Sequence, residues 1–421
     1  MSSFEPRRSM AAATLLSLVL GSTGLADGPV GEGTWHQWRG PSRDGQVTGP
    51  TWPASLAPEH LTRVWHVPDL GPSYAGPLVT TDRVFTVGTV DKSDEVVRAF
   101  DRSSGQELWQ TRWKGSMSVP FFANKNGSWI RSTPAFDGEN LYIAGMRDVL
   151  MCLESSTGST VWKVDFTERY GTPLPAFGFV CSPLVTDQHV YVQAAGGLVK
   201  LDKLTGEAVW RSLADGGGMN SAFSSPILVT VRDRAQIVVQ TREELCGVDP
   251  EDGNVLWRQP VKSFRGMNIL TPVTVGDSVF TAPYGGRAQL LDLESADGVF
   301  SVSRAWDQNL QGYMTSPVVI DGHAYFFTRS NRFACVRLSD GERRWVSGPT
   351  GDDYWSIVAQ GDMILALSND GRLRLIKADP EAYEMVSEAE VAEDQTWAHV
   401  AVAGRDIVIR EQEGLALYTW K

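Results

Sequence analysis

The chain is poor in cysteine, in histidine and in positive charge. It carries four cysteines, Cys152, Cys181, Cys246 and Cys335, in 421 residues. No two are adjacent, none shows metal-ligand spacing and no C-x-x-C-H run occurs, which excludes a zinc module, a haem attachment site and a densely bridged scaffold. These cysteines are expected to be small buried apolar residues, with a bridge between neighbouring units as the alternative. The six histidines are scattered without metal spacing. Lys and Arg number 38 against 50 Asp and Glu, a net charge of −12, so neither nucleic acid nor an anionic membrane surface is an expected partner. After the first residues, no apolar run approaches the roughly 20 residues that a membrane-spanning helix requires.

What is abundant is turn chemistry and indole: 41 glycines, 22 prolines and 15 tryptophans. Residues 178–210 show how they are used. Ser182-Pro183 opens a strand, Thr186-Asp187-Gln188 and Gly196-Gly197 turn into the next two, and Leu204-Thr205-Gly206 turns into a fourth that ends at Trp210. Val190 and Val192 alternate with Tyr191 and Gln193 at the period of a half-buried strand. One such four-stranded unit cannot bury both faces, so it must stack on copies of itself.

Copies follow at a regular period. Prolines preceding a first strand recur at Pro77, Pro134, Pro183, Pro226, Pro272 and Pro317, and Ile357 and His399 fill the same slot, with spacings of 57, 49, 43, 46, 45, 40 and 42 residues. A second marker runs in phase: a turn ending in Gly, then Trp four residues later, at Trp109, Trp162, Trp210, Trp257 and Trp345. Two markers at one period predict an all-β fold, an eight-bladed β-propeller with four-stranded antiparallel blades. The fifth and seventh units break the pattern, with Val302 in the tryptophan slot of the fifth. Between Trp109 and Pro134 an insertion predicts a projecting loop.

The two ends of the chain complete each other. The last repeat, from Trp397, stops after three strands, whereas LTRVWHV, residues 61–67, has no partner nearby. This N-terminal strand is expected to complete the last blade, with Trp65 in the slot held elsewhere by Trp210, closing the ring and removing its exposed edges. The expected organisation is a signal peptide over 1–26, a strap over 27–60 and one propeller over 61–421. The signal peptide rests on Arg7-Arg8, the apolar stretch Ala11–Leu20 and the small-residue end Gly24-Leu25-Ala26; export to the periplasm or the extracellular space would follow. In the strap, Trp35 and Trp38 are expected to cover an edge of the propeller, with a ligand role for Arg39 or Arg43 as the alternative.

The run KLDKLTGEAVW, Lys200–Trp210, resembles the tryptophan-docking motif of pyrroloquinoline-quinone (PQQ) repeat propellers. That superfamily contains quinoprotein alcohol dehydrogenases and non-catalytic BamB-type proteins of outer-membrane assembly. WRGPSRDG, residues 38–45, ahead of such repeats looks like a group of exported bacterial PQQ-like proteins. The resemblance implies structural docking for Trp65, Trp109, Trp162, Trp210, Trp257 and Trp345. Its enzyme branch implies an adjacent cysteine pair and a calcium held by Glu and Asn, and the chain has no such pair. The expected function is therefore a non-catalytic scaffold for an envelope protein or peptide, possible for a small molecule too, without catalytic residues, metal or cofactor. The alternative is a PQQ- and calcium-dependent oxidoreductase.

Residues just ahead of each first strand should converge on one mouth of the central channel. These are Tyr74, Trp129, Phe179, Phe223, Tyr313, Trp355 and Trp397, with Arg131, Arg265, Asn268, Gln311 and Asp353 among them, an amphipathic ring of the composition expected at a ligand or peptide site. Packing at the narrow ends of the blades is the alternative for the aromatic members. Asp352-Asp353 is expected to be a solvated turn rather than a calcium loop.

Overall fold

A computed structural model describes residues 1, 31, 33–216 and 221–421. The expected signal peptide lies outside the described residues, apart from Met1. Eight four-stranded antiparallel sheets follow one another around a ring. Each blade runs from an inner strand to an outer one. Blade 3, for example, uses Leu184–Val185, His189–Ala194, Gly197–Asp202 and Ala208–Ser212. The middle strands are buried on both faces, as strands flanked by two neighbouring blades must be, and the outer strands alternate exposed and half-buried. The one α-helix among the described residues is Phe166–Tyr170, and no described helix is long and apolar enough to cross a membrane.

Closure occurs between the two ends of the chain. Leu61–Val67 pairs antiparallel with Leu415–Trp420, from Leu61 opposite Trp420 to Val67 opposite Leu415, and supplies the outer strand of blade 8. The inner strands of that sheet are Ala401–Ala403 and Asp406–Arg410.

Neighbouring blades are joined by indoles. Trp65, Trp109, Trp162 and Trp210 each lie against the turn glycine of the next blade, Gly105, Gly158, Gly206 and Gly253, where an added Cβ would meet the ring at 2.5–2.9 Å. Their Nε1–H groups donate to carbonyls in the same turns: Arg102, Ser155, Lys203 and Glu251, at 2.8, 3.0, 2.9 and 3.1 Å. Trp345 donates to Asp379 at 2.8 Å, in a turn that has no glycine.

Trp257 does not dock in this way. Its indole donates to Gln236 Oε1 inside its own blade at 2.7 Å. The physical reason is the long outer hairpin of blade 5, Ala288–Ala296 with Val299–Gln308, whose turn glycine, Gly298, has no neighbour within reach of a Cβ. The docking indole of blade 5 is Trp306, not a residue at position 302; it lies on Gly341 and donates to Leu338 O at 2.7 Å. All four cysteines are buried and unbridged.

Candidate functional site

The inner strands run alongside the ring axis, and the two ends of the axis are built differently. At the end where these strands finish, residues 33–47 cross the opening. Trp35 bridges Val79 of blade 1 and Gln46 bridges Ala359 of blade 7, while the carbonyl of His36 accepts from Phe136 N in blade 2 at 2.8 Å. Arg39 and Arg43 are fully buried beneath this crossing. Arg43 donates to the carbonyls of Pro183 at 2.7 Å and Ser182 at 3.0 Å in blade 3; Arg39 donates to Pro317 O in blade 6. The strap therefore plugs the channel through its arginines, a larger role than covering an edge.

Above the plug, hydroxyls link the blades around the axis. The Ser or Thr ahead of each of Pro134, Pro183, Pro226, Pro272 and Pro317 presents a hydroxyl to the preceding blade: Gly76 N donates to Thr133 Oγ1, Thr133 N to Ser182 Oγ, Ser182 N to Ser225 Oγ, Ser225 N to Thr271 Oγ1 and Thr271 N to Ser316 Oγ, at 2.8–3.2 Å. Each bond satisfies a buried backbone donor that no sheet can reach. The proline and tryptophan markers do not point to these residues, yet the signal is plain: a Ser or Thr stands directly before each of Pro134, Pro183, Pro226, Pro272 and Pro317.

At the opposite end lies a cavity of about 440 Å³. Its floor carries Trp38 of the strap together with Thr133, Ser182, Ser225 and His399. Trp38 meets His399 edge-on at 5.9 Å, and the guanidiniums of Arg39 and Arg43 sit over the same indole at 5.6 and 5.9 Å. Burial, reinforced by Arg39, pushes the His399 imidazole down to about 3, so it is neutral at physiological pH.

Of the expected mouth residues, Tyr74, Trp129, Arg131, Phe223, Tyr313, Asp353 and Trp397 line this cavity. Tyr74 makes edge contacts with Trp129 at 5.3 Å and with Trp397 at 6.0 Å, and Trp397 stacks on Tyr354 at 6.0 Å. Arg131 lies over the Tyr74 ring at 5.0 Å and donates to Gly127 O at 2.7 Å. Gly127 needs its left-handed backbone and bare Cα, since a Cβ there would strike the Trp129 ring at 2.4 Å. On another part of the wall, Arg329 lies over Tyr313 and Tyr284 at 5.2 and 5.4 Å.

The remaining expected residues are placed elsewhere. Phe179 is buried against Phe166 between blades. Trp355 is a core residue stacked on Phe327 at 4.9 Å; its Nε1–H donates to Asp352, which pairs with Arg374 at 3.0 Å. Asp352 is thus buried and committed to structure, not a solvated turn. Asn268 is buried, donating to the carbonyls of Thr241 and Arg242. Gln311 accepts from Gly285 N, and Arg265 lies over Phe264 on a short turn outside the cavity. Tyr354, Val180, Ile269, Met314, Arg329, Asn331 and Gln395 complete the lining.

As a metal site the donor set is poor. Asp353 is the one carboxylate in the lining, and among the described residues no group of three or more His, Cys, Asp or Glu could hold a metal ion. The charged groups of this wall are Arg131, Arg329 and Asp353.

Residues 93–347 match the family model of the outer membrane protein assembly factor BamB. Over 314 residues the chain is 24% identical to the outer membrane protein assembly factor BamB of Moranella endobia, covering 72% of this chain and 74% of that one. The corresponding protein of Yersinia pestis is 23% identical over 259 residues, 59% of this chain and 61% of its own. Among solved structures, BamB from Moraxella catarrhalis superposes with a TM-score of 0.62 at 14% identity, over 86% of this chain and 98% of that one. A quinohemoprotein alcohol dehydrogenase from Comamonas testosteroni gives 0.63 at 12% identity, over 92% and 80%. At such identities the structural likenesses establish the fold alone.

Proposed function

The chain belongs to the family of the outer membrane protein assembly factor BamB, and from that membership we propose that it is a non-catalytic propeller of the cell envelope that holds an envelope protein during outer-membrane assembly. The observation that carries this reading is the family match across blades 1 to 6, joined to an axial cavity whose wall is aromatic and cationic rather than equipped with an acid–base or nucleophilic set. The single lining histidine is held neutral and buried, and the lining offers no cysteine. Export to the periplasm is part of the same proposal; the Arg7-Arg8 and Ala11–Leu20 stretches of the sequence support it.

The test is made in cells. A photo-reactive residue at position 395, on the exposed rim, is expected to crosslink to an outer-membrane assembly partner, whereas one at position 299, on an outer hairpin, is not. Deleting the protein should lower the amount of folded outer-membrane proteins. Turnover of alcohols by the purified chain with PQQ and calcium in a dye-linked assay would overturn the non-catalytic reading, and unchanged outer-membrane protein levels in the deletion strain would overturn the assembly role.

A further inference from the structure

The charge on the ring axis runs against that of the whole chain. The protein carries a net charge of −12, yet four guanidiniums, Arg39, Arg43, Arg131 and Arg329, surround or underlie the cavity and Asp353 is the lone carboxylate in its lining. Every hydrogen bond recorded for these arginines ends on a neutral oxygen, a backbone carbonyl or the Gln37 amide. Arg329 is exposed and rests on two tyrosine rings, while the buried Nε of Arg131 has no hydrogen-bond partner among the described residues. Asp44 lies near Arg39 within the strap, whereas the two arginines of the lining itself, Arg131 and Arg329, rest on tyrosine rings, and a concave site walled by guanidiniums gathers anions.

Shape selects among anions. Arg131 lies over Tyr74, which adjoins Trp129 and Trp397, so a guanidinium and a run of ring faces share one wall. A guanidinium fork matches a planar carboxylate, and ring faces favour an apolar, ring-bearing body beside it. A volume of about 440 Å³ is that of a small-molecule site. The strap plugs the far end, so the cavity is blind. An extended peptide cannot run through it.

We propose that the axial cavity binds a terminal carboxylate carried on an apolar, ring-bearing body, with Arg131 as the residue that engages the carboxylate. Two sources present this chemistry, a free aromatic acid and the C-terminal end of a polypeptide. The inference rests on the reading of the propeller as a binding module, and it names what that module takes.

The purified chain is titrated calorimetrically with N-acetyl-phenylalanine, with its amide, and with an acetylated tripeptide ending in phenylalanine. The acid is expected to bind roughly tenfold or more tightly than the amide, the value of one charge-assisted hydrogen bond. Arg131→Gln should weaken the acid by a similar factor and leave the amide unchanged. Arg329→Gln, at an exposed position, gives a second reading should Arg131→Gln unfold, and Arg287→Gln, at an arginine paired with Asp307 away from the cavity, should bind as the parent does. A tripeptide that binds more tightly than the single residue identifies a polypeptide end; one that binds equally or more weakly identifies a free acid. Equal affinity for acid and amide, or no binding of either at millimolar concentration, would overturn the inference. Because the titration uses the isolated protein, its failure leaves the crosslinking result intact, and the converse also holds.

Discussion

The indole of Trp162 in blade 2 lies on the bare Cα of Gly206 in blade 3 and donates its Nε1–H to Lys203 O at 2.9 Å. Gly206 has φ +71°, a conformation that L side chains rarely adopt, and a Cβ there would meet the ring at 2.8 Å. Two substitutions therefore attack one contact from opposite sides. Trp162→Ala should cost about 3–5 kcal/mol through the cavity it leaves. Gly206→Ala should cost about 1–3 kcal/mol through backbone strain, before the clash with the ring is added. Combined, they should cost clearly less than the two separate losses, since each destroys the same joint. Chemical denaturation of the three variants measures this, and strict additivity would show that the ring and the glycine do not form one unit.

The hydroxyl belt makes a second, smaller prediction. Ser225 accepts from Ser182 N at 2.9 Å while its own N donates to Thr271 Oγ1 at 3.0 Å. Ser225→Ala strips a buried donor of its acceptor and should cost about 1–3 kcal/mol. A melting temperature equal to that of the parent would mean that water replaces the hydroxyl.

Glu95 predicts how stability changes with pH. Fully buried, it accepts from Met146 N and Trp113 Nε1, each at 2.8 Å. Burial raises its carboxyl from 4.5 to about 7, with the two hydrogen bonds and Arg147 opposing. Between those values the unfolded chain has lost the proton and the folded chain keeps it, so the contribution of this group to stability falls as pH rises through the window and is constant above it. Relative to Glu95→Gln, the parent should lose roughly 3 kcal/mol between pH 5 and pH 8. Parallel melting curves of parent and variant across that range would contradict the assignment.

The ring was legible in the sequence because its markers recur, and a repeat is visible wherever turn chemistry and an indole return in phase. Blade 5 shows the limit: lengthening one hairpin moved the docking indole to Trp306, outside the expected spacing. The mouth was legible only to within one residue. Phe179, Asn268 and Trp355 are packed away from the cavity, while their neighbours Val180, Ile269 and Tyr354 line it. Alternation fixes which side chain faces which way inside a strand, but Phe179 and Asn268 sit in the irregular segments ahead of the strands, where no period carries the phase, and Trp355 already opens the strand Trp355–Gln360, which is buried on both faces. The plug was illegible for a different reason: Arg43 and Arg39 find their carbonyls 139, 140 and 278 residues away, and nothing local to WRGPSRDG announces that.

Those two arginines support the last prediction. Arg43 ties the strap to blade 3 and Arg39 ties it to blade 6, so the strap spans the ring. Burial, the largest influence on both, lowers Arg39 to about 10 and Arg43 to about 9, and each is charged at neutral pH. Arg43→Met keeps the length of the side chain but deprives the Ser182 and Pro183 carbonyls of their donor, and should cost about 2–4 kcal/mol. Arg39→Met should act similarly, and the double variant should cost less than both together because the strap is released once. Release also exposes backbone near Gly49, already at the surface, so limited proteolysis should cut residues 48–60 faster in the variants than in the parent while the blades stay resistant. If the double variant melts and is cleaved like the parent, the strap is held by its other contacts, the Trp35 and Gln46 bridges among them, and the arginines do not lock the axis.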